Sequence, residues 1–119
     1  MSILALDLGA KRIGVAVNPV GKIVLELSTL AQTELTMQLD HFIEEYHIQT
    51  LIIGRTRSGL PLAQKIIADL AKEYPGLQTV ELDETLTTKE AERQLAREGG
   101  GDSDARAARL LLEQYLNRA

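Results

Sequence analysis

Four acidic residues occupy positions from which their carboxylates could act together on a phosphate ester: Asp7, Asp83, Glu84 and Asp104. Oxygen ligands without histidine or cysteine suit hard cations such as Mg²⁺ and Mn²⁺. Because several carboxylates at one point repel one another, a divalent cation is their natural partner. Two such ions about 4 Å apart can activate a water and stabilise the leaving oxygen in phosphodiester cleavage. The four residues therefore indicate metal-dependent hydrolysis.

Asp7 is the most informative of them, because it interrupts the most apolar run of the chain, Ile3–Leu8. Side chains of a strand alternate between its two faces, so Asp7 should point to the same face as Ile3 and Ala5. A carboxylate in that position must be paired, hydrogen-bonded or bound to a metal, since burial of a lone charge is costly. The alternative is that Asp7 caps the turn after the strand, as Asp often does.

The other acidic residues stand at the ends of later predicted elements. Asp83 and Glu84 follow an apolar strand, and ligands of open α/β sheets gather at the carboxyl ends of parallel strands. An ordinary acidic loop before a helix explains this pair equally well. Asp104 opens the last predicted helix and shares a face with Ala108, so it should point to the sheet, although an N-cap explains it better when it is taken alone. Asp102, in a glycine-rich loop nearby, is a candidate outer participant.

Basic residues near the same strand ends could contact a phosphate backbone. Lys11 and Arg12 lie in the predicted turn after the first strand, directly after Gly9, and Arg55 and Arg57 flank the end of the fourth strand. Such side chains bind phosphate oxygens through charge-assisted hydrogen bonds. A solvated turn is the alternative for Lys11 and Arg12, since Lys and Arg are mostly exposed. A second basic set could form a helical strip or simply favour solubility: Arg93, Arg97, Arg106 and Arg109.

The period of the apolar residues predicts the elements that position these side chains. Continuous or alternating apolar segments predict five strands, at residues 3–8, 13–18, 22–30, 50–54 and 77–83. Helical spacing, a capping box and a closing glycine run predict four helices, at about residues 35–46, 62–70, 88–98 and 104–117.

The resulting order, β-β-β-α-β-α-β-α-α, predicts an α/β chain with a mixed five-stranded sheet and helices on both faces. Three strands in quick succession form an antiparallel meander, whereas the two later strands are reached by crossovers and are parallel to a neighbour. The first strand should lie at the centre. We therefore expect an RNase H-like fold that forms a single domain over residues 1–119.

Composition narrows the classes of function. The 119 residues include no cysteine, which excludes disulfides, thiolate zinc sites and a cysteine nucleophile. The formal net charge of −4 argues mildly against a protein that coats nucleic acid nonspecifically, but metal-holding acids lower the charge of a nuclease as well. No apolar run reaches the roughly 20 residues of a membrane span, and we recognise no signal peptide. We expect no membrane partner and a cytoplasmic location.

Three segments resemble one known family, the YqgF or RuvX family of pre-16S rRNA nucleases and Holliday-junction-resolvase-like proteins. Residues 4–17 (LALDLGAKRIGVAV) are similar to its opening signature, DxGxKRxGxA. Residues 83–91 (DETLTTKEA) resemble its second motif, and residues 104–116 (DARAARLLLEQYL) resemble its C-terminal segment. The three motifs occur in order over nearly the whole chain, which makes the resemblance strongly specific.

The resemblance implies an RNase H-like fold and a nuclease that uses Mg²⁺ or Mn²⁺ and leaves a 5′-phosphate. The family's catalytic acids match Asp7, the pair of Asp83 and Glu84, and Asp104; Glu84 is favoured over Asp83 as a direct metal ligand. The implied substrates are nucleic acids: the 5′ end of the 16S rRNA precursor, and branched DNA by analogy. Resolution of a four-way junction would need two active sites and hence a homodimer.

Two departures from the family pattern lie beside the expected substrate path. Thr85 stands where the family has Arg, and the loop at residues 55–59 is shorter than usual. Both affect the expected substrate preference more than the metal chemistry. They leave open a non-catalytic nucleic-acid or ribosome-associated module. An actin-like ATPase domain is the third interpretation, because Asp-x-Gly before a β-hairpin resembles a phosphate loop, but such enzymes close two domains around ATP and this chain supplies one.

Overall fold

The computed structural model describes residues 2–8, 12–55, 59–83 and 103–117, without the side chains of Asp83, Ser103 and Asp104. Its strands are β1 (Ile3–Leu8), β2 (Arg12–Asn18), β3 (Leu25–Ala31), β4 (Thr50–Arg55) and β5 (Gln78–Asp83). Its α-helices are α1 (Leu35–Tyr46), α2 (Leu60–Glu73) and α3 (Ser103–Leu116), and a short 3₁₀ helix, Gln32–Glu34, leads into α1. The helix predicted from residue 88 lies outside the described residues.

The five strands form one sheet in the order β3-β2-β1-β4-β5. β1 pairs with β2, and β2 with β3, in antiparallel orientation, whereas β1, β4 and β5 are parallel. Every residue of β1 is buried, as its continuous apolar run requires. The predicted mixed sheet with a central first strand is therefore confirmed.

The turn between β2 and β3 is longer than predicted because a buried side chain organises it. Asn18 is 2 % exposed, and its Nδ2 donates hydrogen bonds to the carbonyl oxygens of Gly21 (3.0 Å) and Ile23 (2.7 Å). Gly21 has a φ of 59°, in the left-handed region that glycine adopts without steric cost. As a result, β3 begins at Leu25 and not at Lys22.

Helices cover both faces of the sheet, as predicted. On one face, which we call the α1–α2 face, large aliphatic side chains of the strands pack against Leu39 and Ile43 of α1 and Ile66 and Leu70 of α2. On the other, the α3 face, a smaller cluster joins the sheet to α3: Ile3, Ala5, Ala16, Ile52, Ala108, Leu111 and Leu112. Within the described ranges, no helix is long and apolar enough to cross a bilayer.

Candidate active site

Asp7 lies next to the C-terminal end of the central strand and is 4 % exposed. Ala5 and Ile3, which share its face by alternation, belong to the cluster that packs on α3. The carboxylate of Asp7 therefore lies on the α3 face. Because Asp7 lies near the end of β1 on the face that α3 covers, residues from the neighbouring strands and from α3 can approach its carboxylate.

Glycines flank Asp7 on both neighbouring strands. Its partner on β2 is Gly14 and its partner on β4 is Gly54. Residues directly opposite in a sheet share a face, so no side chain stands beside the carboxylate on either strand. Glycine within a strand often marks a place where a ligand or another backbone approaches closely. Gly14 and Gly54 were not among the predicted site residues, although a glycine inside each apolar strand was the available signal.

The strand register aligns the acidic positions at one end of the sheet. Asp7, Gly54 and Leu82 form one row across β1, β4 and β5, and Asp83 follows one residue beyond it, opposite Arg55. Because neighbouring strands lie about 4.8 Å apart, this row spans roughly 10 Å from β1 to β5. The backbones of Asp7 and Asp83 are thus brought to the same end of the sheet.

The third acidic element is the start of α3. Asp104 is the second residue of this helix, whose bounds are Ser103–Leu116. The helix contacts β1, β2 and β3, and Ala108, Leu111 and Tyr115 face the sheet as predicted. The helix that carries Asp104 therefore packs on the face to which Asp7 points.

The donor chemistry of these positions fits a hard divalent cation. Asp7 offers carboxylate oxygens beside two glycines, and the chain has no cysteine to compete with them. Among the side chains that the structure describes, no three His, Asp or Glu residues form a metal-binding group. Glu84 and the side chains of Asp83 and Asp104 are not among them, so the complete ligand set stays a prediction.

Of the four basic residues predicted to contact a phosphate backbone, the structure describes two, Arg12 and Arg55. Arg12 begins β2 and is exposed. Arg55 ends β4, and its Nε donates to Oε2 of Glu81 on β5 at 2.9 Å, a partner that sequence analysis did not foresee. Lys11 and Arg57 lie outside the described residues.

Two arginines of the suggested helical strip have an acidic neighbour on β3. Nε of Arg106 donates to Oε2 of Glu26 at 3.0 Å, and Nη1 of Arg109 lies 2.8 Å from the same oxygen. Glu26 and Arg106 are 80 positions apart in the chain, so no local sequence pattern could predict their contact. Glu26 was not predicted as a partner of these arginines, and the available signal was an acidic residue inside the third predicted strand.

Comparison with known proteins gives a family and a set of relatives. A family model described as "RuvX: Holliday junction resolvase" matches residues 1–118. A protein of Picosynechococcus sp. named "Putative pre-16S rRNA nuclease" is 38% identical over an alignment that covers 95% of this chain and 90% of that protein. A protein of the same name from Gloeobacter violaceus is 32% identical, with 98% and 84% covered.

Two solved structures share the fold. RuvC of T. thermophilus, in complex with a Holliday junction substrate, superposes with a TM-score of 0.63 at 13% identity and covers 98% of this chain and 94% of its own. The fowlpox virus resolvase, in complex with Holliday junction DNA, gives a TM-score of 0.55 at 14% identity, with 99% and 100% covered. At such identities the likeness is one of fold, and the fold is the RNase H-like one that the strand order predicted.

Proposed function

Because this chain belongs to the RuvX family of Holliday junction resolvases and is therefore a nuclease, we propose that it hydrolyses phosphodiester bonds with Mg²⁺ or Mn²⁺ held by Asp7, Glu84 and Asp104. The observation that carries this proposal is the carboxylate of Asp7, buried on the α3 face between Gly14 and Gly54. A buried carboxylate with side-chain-free neighbours suits an ion and a phosphate that must approach closely.

The choice of Glu84 as the direct ligand after β5 is supported by the face on which Leu82 lies. Leu82 lies in the row of Asp7 and packs with the α3-face cluster. Glu84 follows the last residue of β5, and it would share the face of Leu82 if the alternation of the strand continued by one residue. Asp83 is proposed as an acidic neighbour of the site.

The residues of the chain have distinct tasks in this proposal. Asp7 holds its carboxylate in a fixed place because packing on both sides of β1 restricts the strand. A bound divalent ion would supply a water of lowered pKa and stabilise charge on the leaving oxygen. Lys11, Arg12, Arg55 and Arg57 are proposed to bind the phosphate backbone and so orient the scissile bond.

We propose the 5′ region of the 16S rRNA precursor, met in the cytoplasm, as the substrate, because the curated relatives carry that activity in their name. A four-way DNA junction is the second candidate, since the family description names it. Junction resolution requires two cuts related by symmetry, so this second activity requires a homodimer. Sedimentation with and without junction DNA distinguishes a monomer from such a dimer.

The decisive experiment measures cleavage of three labelled substrates: a precursor rRNA spanning the 5′ end, unstructured RNA, and a four-way junction. Wild type is compared with Asp7→Asn, with EDTA, and with Asp40→Asn as a matched control for an acid on α1. We expect metal-dependent cleavage by wild type and Asp40→Asn, and none by Asp7→Asn.

Other outcomes separate the competing interpretations. A folded wild type that cuts no substrate at any metal concentration would favour the non-catalytic module. ATP hydrolysis without cleavage would favour the actin-like phosphate-binding domain. Cleavage of the junction alone, by a dimer, would replace the rRNA precursor by branched DNA.

A further inference from the structure

A charged cluster, which we call the Glu26 clamp, connects β3 to the first half of α3. Oε2 of Glu26 lies 3.0 Å from Nε of Arg106 and 2.8 Å from Nη1 of Arg109. The side chain of Arg106 is 12% exposed and that of Glu26 is 26% exposed. Because the clamp is largely removed from solvent, salt screens it less than a surface ion pair.

Among the side chains that the structure describes, the first turns of α3 bury mainly small residues. Their buried residues are Ala105, Ala107 and Ala108, whereas the large buried side chains begin at Leu110. Interdigitation of large side chains fixes the placement of packed elements, and an alanine surface offers less of it. The placement of these turns therefore depends on directional contacts such as those to Glu26.

The electrostatics of the helix also favour a carboxylate at this position. Arg106 and Arg109 are three positions apart on one helix face and repel each other. Arg106 is also the fourth residue of the helix, near the end whose dipole disfavours a cation. One oxygen of Glu26 offsets both positive charges. Nε of Arg109 also lies 3.7 Å from Oε1 of Glu113, so loss of Glu26 would weaken the neutralisation of these two partly buried charges without removing it.

The strand register places Glu26 at a distance from Asp7. Glu26 pairs with Ala16 on β2, and Ala16 pairs with Ala5 on β1. Two strand spacings, roughly 10 Å, therefore separate Glu26 from the central strand that carries Asp7. Glu26 is connected to the candidate site by its contact with Arg106, which lies two residues after Asp104 on the same helix.

We propose that Glu26 is a positioning residue, which through Arg106 and Arg109 sets the place of the first turns of α3 and thereby of Asp104 relative to Asp7. This inference rests on the proposed function, in which Asp104 is a metal ligand. A displacement of about 1 Å at a reacting centre can reduce a rate about 100-fold, so a residue outside the site can control it in this way.

The test compares wild type with Glu26→Gln, which keeps the shape but removes the charge, and with Glu26→Asp, which keeps the charge. Tyr74→Phe is the matched control, because it removes a hydrogen bond of Tyr74 to Asp40 on the opposite face. Three quantities are measured: Mn²⁺ affinity by calorimetry, kcat and KM for cleavage, and amide hydrogen exchange of the metal-free protein.

For Glu26→Gln we expect Mn²⁺ affinity and kcat each to fall about 10-fold, at the lower end of the range for outer-shell partners of metal sites. KM should stay the same, and hydrogen exchange should accelerate in residues 103–109. Glu26→Asp should recover part of the lost affinity. Tyr74→Phe should change neither Mn²⁺ affinity, nor kcat and KM, nor hydrogen exchange in residues 103–109. A Glu26→Gln protein with a lower melting temperature but wild-type Mn²⁺ affinity and kcat would overturn the proposal.

Failure of the proposed function would look different. A wild type that neither binds Mn²⁺ nor cuts nucleic acid would refute the nuclease site, and hydrogen exchange would then decide the role of Glu26 alone. If hydrogen exchange in Glu26→Gln is faster only at the start of α3, this would support the role of Glu26 in positioning the first turns of that helix. Unchanged exchange there would overturn it.

Discussion

The two faces of the sheet differ in what their side chains can do. The α1–α2 face is built from large aliphatic residues of all the inner strands and two helices. The α3 face carries small residues, a buried carboxylate and the Glu26 clamp. A face filled with large aliphatic side chains supplies most of the hydrophobic stabilisation. A face with small residues leaves room for a ligand, and it needs charged contacts to hold its helix.

The central strand shows this difference within six residues. Leu4, Leu6 and Leu8 belong to the core of the α1–α2 face. The alternate positions, Ile3, Ala5 and Asp7, lie on the α3 face and change from large to small to charged towards the end of the strand. One strand thus contributes stability on one side and chemistry on the other, so substitutions on its two sides should separate the two properties.

The largest expected effect is the loss of cleavage in Asp7→Asn, by about 10³-fold or more, because metal-held charge stabilisation is worth several kcal/mol. Removing the buried charge should leave the metal-free protein at least as stable as wild type, since functional sites often reduce stability. Rates are measured at saturating Mn²⁺, and unfolding is followed in urea with EDTA. Loss of activity together with a large loss of stability would mean that Asp7 serves the fold.

On the opposite face, Leu39→Ala should reverse this pattern. Leu39 of α1 is buried against the sheet, and deletion of such a side chain costs about 2–5 kcal/mol of unfolding free energy. The activity per folded molecule should not change. Met37→Ala, on the same helix at 77% exposure, is the control and should change stability by under about 0.5 kcal/mol. A defect in kcat of folded Leu39→Ala would show that the two faces are not independent.

A smaller effect is expected for Arg55→Met at the end of β4. If Arg55 binds the phosphate backbone, KM should rise about threefold to tenfold and the salt dependence of binding should decrease by about one phosphate contact. Stability should change by less than about 1 kcal/mol, because the pair with Glu81 is partly exposed. Glu81→Gln releases Arg55 from its partner and should not raise KM. An equal rise of KM in both variants would indicate a structural role for the pair.

The smallest effect concerns the contact between α1 and α2. Desolvation, followed by the hydrogen bond to Asp40, raises the pKa of Tyr74 to about 12 from 10.0. The neutral phenol is favoured in the folded state, so its stabilisation is complete below pH 10 and is lost as the pH rises towards 12. Tyr74→Phe should therefore lower stability by up to about 1 kcal/mol at pH 8. The difference from wild type should shrink as the pH rises from 10 to 11.5.

Urea unfolding of both proteins across this pH range measures that difference, and the common effect of lysine deprotonation cancels in it. A difference that stays constant with pH would show that ionisation of Tyr74 is not coupled to folding. Cleavage activity should be the same in both proteins, because Tyr74 lies at the C-terminal end of α2, on the face away from Asp7.

The bounds of a strand could be predicted from the sequence where neighbouring residues determine them, and not where a side chain bonds to backbone groups several residues away. The bounds of β1 were predicted correctly, because an unbroken apolar run is typical of a strand that is covered on both faces. The start of β3 was not, because the hydrogen bonds from Nδ2 of Asn18 to the carbonyl oxygens of Gly21 and Ile23 extend the preceding turn. A hydrogen bond from one side chain to several carbonyl groups leaves no periodic pattern in the sequence.

The sequence by itself determined the order of the elements, the central place of β1 and the burial of Asp7, because hydrophobic period and crossover rules act through neighbouring residues. Only the tertiary structure decided that Gly14 and Gly54 flank Asp7 and that Glu26 holds Arg106 and Arg109. Those contacts depend on the register between strands and on the docking of a helix. Both are set by packing of the whole core, which no local stretch of residues encodes.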